Sequence, residues 1–196
     1  MRAASHEELN AHAERVLPLI DRALAEVGWS RSSLDRVAVG VGPGSFTGLR
    51  VGIALGQGMA LGLGVELVGI GSLRAMAEAV PRELAGVRWA LLDARRGEIF
   101  AAAYGEHGQE LRAPAVIPAP ELALRIAEMS PPGPRLLLGE VLDALPSPGG
   151  TPFRSHETDL PHAASVARLG ESAVATEAAV EPLYVRDAGA ALPRSG

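Results

Sequence analysis

Eighteen consecutive residues, Phe46 to Leu63, carry a single charge, Arg50. At helical spacing Gly48, Gly52, Gly56 and Ala60 share one face, and Leu49, Ile53, Gln57 and Leu61 share another. Val51, Leu55 and Met59 fill the remainder. A helix that is apolar on nearly all sides must be covered on nearly all sides. Gln57 and the glycines lower its hydropathy, which argues for a buried helix rather than a membrane span. In a chain of 196 residues, one side of this helix can meet its own sheet. The other side asks for a partner surface, with burial inside the chain's own layers as the alternative.

The flanking sequence places that helix in an α/β fold. Residues 6–27 read as a helix with a Ser5/Glu8 capping box, which Pro18 should kink or split and Gly28 should stop. Val37 to Val41 reads as a strand, followed by the helix from Phe46 or Thr47 to about Leu61. A strand follows at Leu67 to Ile70, then a helix capped by Ser72 and running through Ala79. The order α-β-α-β-α favours parallel strands joined by crossover helices. Beyond residues 80–87 the pattern changes. Arg88 to Asp93 and Glu98 to Tyr104 read as a hairpin around Ala94-Arg95-Arg96-Gly97. Residues 120–129 read as helix, Leu136 to Leu138 as strand, Pro161 to about Thr176 as helix, and Pro182 to Arg186 as extended chain. The expected division is therefore residues 1–82 and 83–196, with a loose tail from about 187.

The stretch Gly42-Pro43-Gly44-Ser45-Phe46-Thr47-Gly48 lies between strand and helix, where phosphate cradles occur. It matches neither G-x-x-x-x-G-K-[ST] nor G-x-G-x-x-G. All 18 basic residues of the chain are arginine, so no lysine exists to complete such a loop. The residues support a structural turn capped by Ser45 or Thr47, with anion binding at the helix N-terminus as the alternative. Cysteine is absent, which removes disulfides, thiolate nucleophiles and thiolate metal sites. His6 and His12 stand about 240° apart around a helix, and His107, His156 and His162 form no metal motif. Asp93, Arg95, Arg96 and Glu98 fit a charged hairpin tip, or an acid/base pair beside a guanidinium. With a net charge of −5, a broad electrostatic grip on nucleic acid is not expected from this chain alone. No basic segment followed by an apolar one opens the sequence, so a cytoplasmic protein is expected.

The run from Gly40 to Arg50, with the helix behind it, resembles the TsaB family. Three other stretches agree: the Leu17-Pro18 helix, Leu92-Asp93-Ala94-Arg95-Arg96-Gly97-Glu98, and Pro182-Leu183-Tyr184-Val185-Arg186. These are scaffold subunits of the bacterial system that makes N6-threonylcarbamoyladenosine at tRNA position 37. The resemblance implies an actin/sugar-kinase/Hsp70-like architecture of two ribonuclease H-like lobes. It also implies a pseudo-enzyme, without cofactor or metal. Ser72 and Met76 stand where the related catalytic subunit, TsaD, carries two metal-binding histidines. It implies a TsaD-like partner, a TsaE-like ATPase bound through the pair, and a homodimer when TsaD is absent. The helices of the first lobe would supply the contact, through His12, Arg15, Leu19, Arg50, Ile53 and Gln57. Family members begin with strands that precede the first helix here, so an incomplete first-lobe sheet is expected. Two rival readings are a nucleotide-binding or peptidase-like enzyme of the same superfamily, and a stand-alone homodimeric structural protein.

Overall fold

The computed structural model describes residues 12–145, 150–175 and 180–185, with no side-chain detail for 12–15. Helix α1 spans His12–Glu26. Pro18 lies inside it and does not split it, so of the two expected outcomes the split does not occur. Gly28 closes it with a positive φ of 74°, and Trp29 N donates to Leu24 O at 2.9 Å. The start expected at residue 6, with its capping box, lies outside the described residues, as does the tail from 187.

Strand β1 (Arg36–Gly42), helix α2 (Phe46–Leu63) and strand β2 (Glu66–Gly71) form a parallel crossover unit. Among the described residues its sheet has two strands. Helix α3 (Ser72–Glu78) follows directly; its N-cap is Gly71, and the expected cap Ser72 is instead the first helical residue.

The second sheet has the order β5-β4-β3-β6-β7. Its members are β3 (Val87–Arg95), β4 (Glu98–Tyr104), β5 (Glu110–Pro118), β6 (Arg135–Leu138) and β7 (Thr151–Pro152). β3 and β4 make the expected hairpin, and Arg95, Arg96 and Gly97 all take positive φ at its tip. β5 was not legible in the sequence. Arg112, Pro114 and Pro118 interrupt its pattern, and they are tolerated because β5 is an edge strand, where missing backbone donors cost little.

Side chains alternate across β3. Val87, Trp89 and Leu91 pack with Leu122 and Ile126 of α4 (Leu122–Met129). Ala90 and Leu92 pack on the other face with Leu73 and Met76 of α3. Arg88, almost fully buried, donates to Ala77 O and Pro81 O and so ties β3 to the end of α3. Burial holds its pKa below the ordinary arginine value, with Glu78 and Glu106 opposing the shift.

Two short helices complete the fold: α5 (His156–Asp159) and α6 (Ala163–Ser172). α6 is shorter at both ends than the helix expected over 161–176. It returns to the first sheet, where Gly170 lies against Ala38 and Val68. On the opposite face Gly56 of α2 approaches Val39 and Leu67, at 3.5 and 3.3 Å from where its Cβ would stand. The small sheet is thus held between two helices that approach closely through glycine. Arg36 fastens the C-terminal end of α6: its Nη1 donates to Gly170 O at 2.9 Å, Glu171 O at 3.2 Å and Ala173 O at 2.8 Å. Its Nη2 pairs with the Glu66 carboxylate. A cation at a helix C-terminus satisfies orphan carbonyls and complements the helix dipole. β1 and β2 form one sheet and β3 to β7 the other, while α6, from the later sequence, covers the earlier sheet.

Candidate functional site: a glycine loop, a helix and a cleft

The glycine loop turns the chain from β1 into α2. Gly42 carries a φ of 109° and is followed by a cis bond to Pro43. A Cβ at Gly42 would stand 2.9 Å from Leu49 Cδ1 and 3.2 Å from Leu183 O. Both the backbone conformation and the space therefore demand glycine. Ser45 is the N-cap: its hydroxyl accepts from Gly48 N at 3.3 Å. Thr47 is not the cap. Gly44 has open space around it, and at Gly48 a Cβ would find only Ser45, at 3.4 Å. On the face that Gly48, Gly52, Gly56 and Ala60 share, the tight approach within the chain is at Gly56.

The loop forms one wall of a cleft of about 680 Å³. Pro43 to Phe46, Gly48, Leu49 and Ser72 line it from one side; Leu92 to Arg95, Phe100, Glu140, Leu160 and Pro161 line it from the other. The one cation lining it among the described residues, Arg95, is already paired with Asp93 at 3.2 Å. Asp93 also accepts from Arg95 N at 2.7 Å, so this group serves the hairpin tip. With Asp93 and Glu140 in the wall and Arg95 paired, the lining offers a polyphosphate no unpaired cation among the described residues. Met76 is wholly buried in the core beside Leu73 and Leu138, where its thioether fills space. Among the described residues no three His, Asp or Glu side chains cluster as metal ligands.

The expected contact residues separate into three groups. Ile53 is 4% exposed and belongs to the chain's own packing. It cannot serve as a surface residue: α2 turns this side inward, a phase that a helix apolar all round does not reveal in its sequence. Leu19 is half-buried, and the side chains of His12 and Arg15 lie outside the described residues. Arg50 and Gln57 are exposed but engaged by the C-terminal segment. Gln57 Nε2 donates to Val180 O at 3.1 Å. Arg50 Nε and Nη2 donate to Tyr184 Oη at 3.3 Å, and its guanidinium lies 3.8 Å from the centre of the Phe46 ring. Sequence reasoning missed that segment as a participant, since its partners are more than a hundred residues away.

A family model described as TsaD, tRNA N6-adenosine threonylcarbamoyltransferase, matches residues 6–137. The Escherichia coli (strain K12) tRNA threonylcarbamoyladenosine biosynthesis protein TsaB is 34% identical over 202 aligned positions, covering 93% of this chain and 85% of the relative. The chain belongs to the TsaB family. The Haemophilus influenzae TsaB protein is 42% identical over 90 positions, covering 45% of this chain and 38% of its own. Among solved structures, a Pseudomonas aeruginosa protein described as similar to peptidase YEAZ superposes with a TM-score of 0.73. It is 29% identical, over 94% of this chain and 90% of its own. A structure described as YeaZ from the same organism gives 0.71 at 30% identity, over 93% and 89%. TsaB membership accords with the α/β architecture, and the two strands of the first sheet among the described residues are consistent with the incomplete sheet expected.

Proposed function

We propose that this chain is a non-catalytic scaffold in the synthesis of N6-threonylcarbamoyladenosine on tRNA, acting in the cytoplasm by binding a TsaD-type subunit. The observation that carries the reading is the near end-to-end match to a relative named for that pathway. The cleft chemistry supports the non-catalytic part: acidic side chains and a paired arginine replace the cationic lining that a nucleotide phosphate needs. No helix of the described residues is long and apolar enough to cross a membrane. The partner face is the exposed side of α2 together with Leu19 and the neighbouring His12 and Arg15 of α1. A TsaE-type ATPase joins through the pair, and the chain self-associates when the TsaD-type subunit is missing.

The test is reconstitution with the TsaD-type protein of the same organism. Light scattering should show a stable heteromer, and modification of tRNA should require this chain. Failure of both overturns the scaffold reading. The rival enzyme reading is checked by titrating the isolated chain with ATP. Micromolar binding that Gly44→Val abolishes would establish it, because Gly44 has room for a side chain and the variant should fold.

A further inference from the structure

After crossing the second sheet, the chain returns to the first sheet between residues 180 and 185. Val180 rests against Gly69, within 3.1 Å of where its Cβ would be, and Gln57 holds the Val180 carbonyl. Leu183 N donates to Val41 O at 2.7 Å. Tyr184 then reaches the start of α2. Its ring lies 6.0 Å from that of Phe46, and its hydroxyl accepts from Arg50. These contacts fix Arg50 between a ring and a hydroxyl, yet Phe46 and Tyr184 remain 55% and 52% exposed. The Arg50 guanidinium meets no carboxylate among the described residues. Two exposed aromatic rings flanking an immobilised arginine are the residue types that dominate interface energetics, and the ordering entropy has already been spent.

We propose that residues 180–185 form a strap that builds, together with Phe46 and Arg50, a composite docking surface for a carboxylate-bearing segment of the partner chain. This rests on the scaffold reading above. A guanidinium offers five N–H donors, and two of its three nitrogens here are spent on a single hydroxyl, so donors remain for a carboxylate. A phosphate would satisfy the same donors. The acidic lining of the adjacent cleft and the net charge of −5 disfavour a polyanion such as tRNA at this surface. The partner thus meets both the early helix and the far end of the chain, which neither element would present alone.

The experiment measures binding of the full chain to its TsaD-type partner, by biolayer interferometry at fixed salt, for the wild type and four variants. Arg50→Glu and Tyr184→Ala should each weaken binding by about tenfold or more, chiefly through faster dissociation. Tyr184→Phe keeps the ring, loses the acceptor, and should fall between those variants and the wild type. Arg50→Met, which keeps the stem over Phe46 without the charge, guards against a folding artefact. Circular dichroism of each isolated variant should match the wild type. Recovery of Arg50→Glu binding by an acid-to-lysine change in the partner would establish the pairing. Absence of wild-type binding overturns the scaffold reading and this proposal with it. If the wild type binds and Arg50→Glu, Arg50→Met and Tyr184→Ala all bind within twofold of it, the composite surface is wrong and the scaffold reading stands. Binding of tRNA by the isolated chain that Arg50→Glu abolishes would replace the carboxylate by phosphate.

Discussion

β1 and β3 are both apolar strands, yet they live differently. Every residue of β1 from Arg36 to Val41 is half-buried and only Gly42 is fully covered. In β3 the six residues from Val87 to Leu92 are all buried. The second sheet draws its cover from nearby sequence, with α3 on one face and α4 on the other. The first sheet has its own crossover helix α2 on one face, but borrows the rest of its cover from far away: α6, the Arg36 clasp on its C-terminal carbonyls, and the strap at 180–185. Apolar content alone does not decide burial; what decides it is whether enough chain comes back to cover the strand.

The comparison can be broken or sharpened by substitution. The largest effect is expected from Ile53→Asp, which places a carboxylate in the packing beneath α2. It should cost upward of about 3 kcal/mol. Hydrogen exchange read by mass spectrometry should rise over β1 and β2 while β3 and β4 keep their protection. Equal loss in both would show one cooperative unit and end the comparison.

Gly170→Ala comes next. The added methyl would overlap Ala38 Cβ and lift α6 from the small sheet, at a cost of about 1–3 kcal/mol. The melting temperature should fall, and exchange should again rise first in β1. An unchanged melting temperature would show that α6 adjusts freely and contributes little cover.

Tyr104 probes the other region. Burial pushes its phenol up to about 12 from an ordinary 10, with Glu110 adding to the rise and Arg74 opposing it. The folded state prefers the neutral phenol, so this contribution is complete below pH 10. It is lost as pH climbs from 10 to 12, because only the unfolded chain has released its proton. Melting temperatures taken across that window should decline less steeply in Tyr104→Phe than in the wild type. Identical slopes would remove Tyr104 from the alkaline limb. The smallest effect is expected from Gly48→Val, within about 0.5 kcal/mol, since the added Cβ would meet only the Ser45 side chain, at 3.4 Å, in ordinary contact. A loss of several degrees would restore Gly48 to a packed face.

What the sequence disclosed follows from the range over which its signals act. The β1–loop–α2–β2 unit and the β3–β4 hairpin were legible because periodicity, capping and turn chemistry are local. The facing of α2 was not. With apolar residues on all sides its pattern has no phase, so Ile53 and Arg50 read alike, although one is core and the other surface. β5 was hidden because Pro114 and Pro118 look like loop signals, and only its edge position makes them acceptable. The loop was legible as a turn, and the choice of Ser45 over Thr47 as cap needed coordinates. The partners of Arg50 and Gln57 were out of reach of any window, lying 134 and 123 residues away.

That separation bears on how the protein is made. Translation releases β1, α2 and β2 early, but α6 and the strap that cover them come from near the other end. The second sheet can close around its own helices while synthesis continues, whereas the first must wait for nearly the whole chain. During that interval an apolar helix and two apolar strands stand uncovered at the ribosome, the kind of surface that holding chaperones recognise. Of the two regions, the one that leaves the ribosome first is the one completed last.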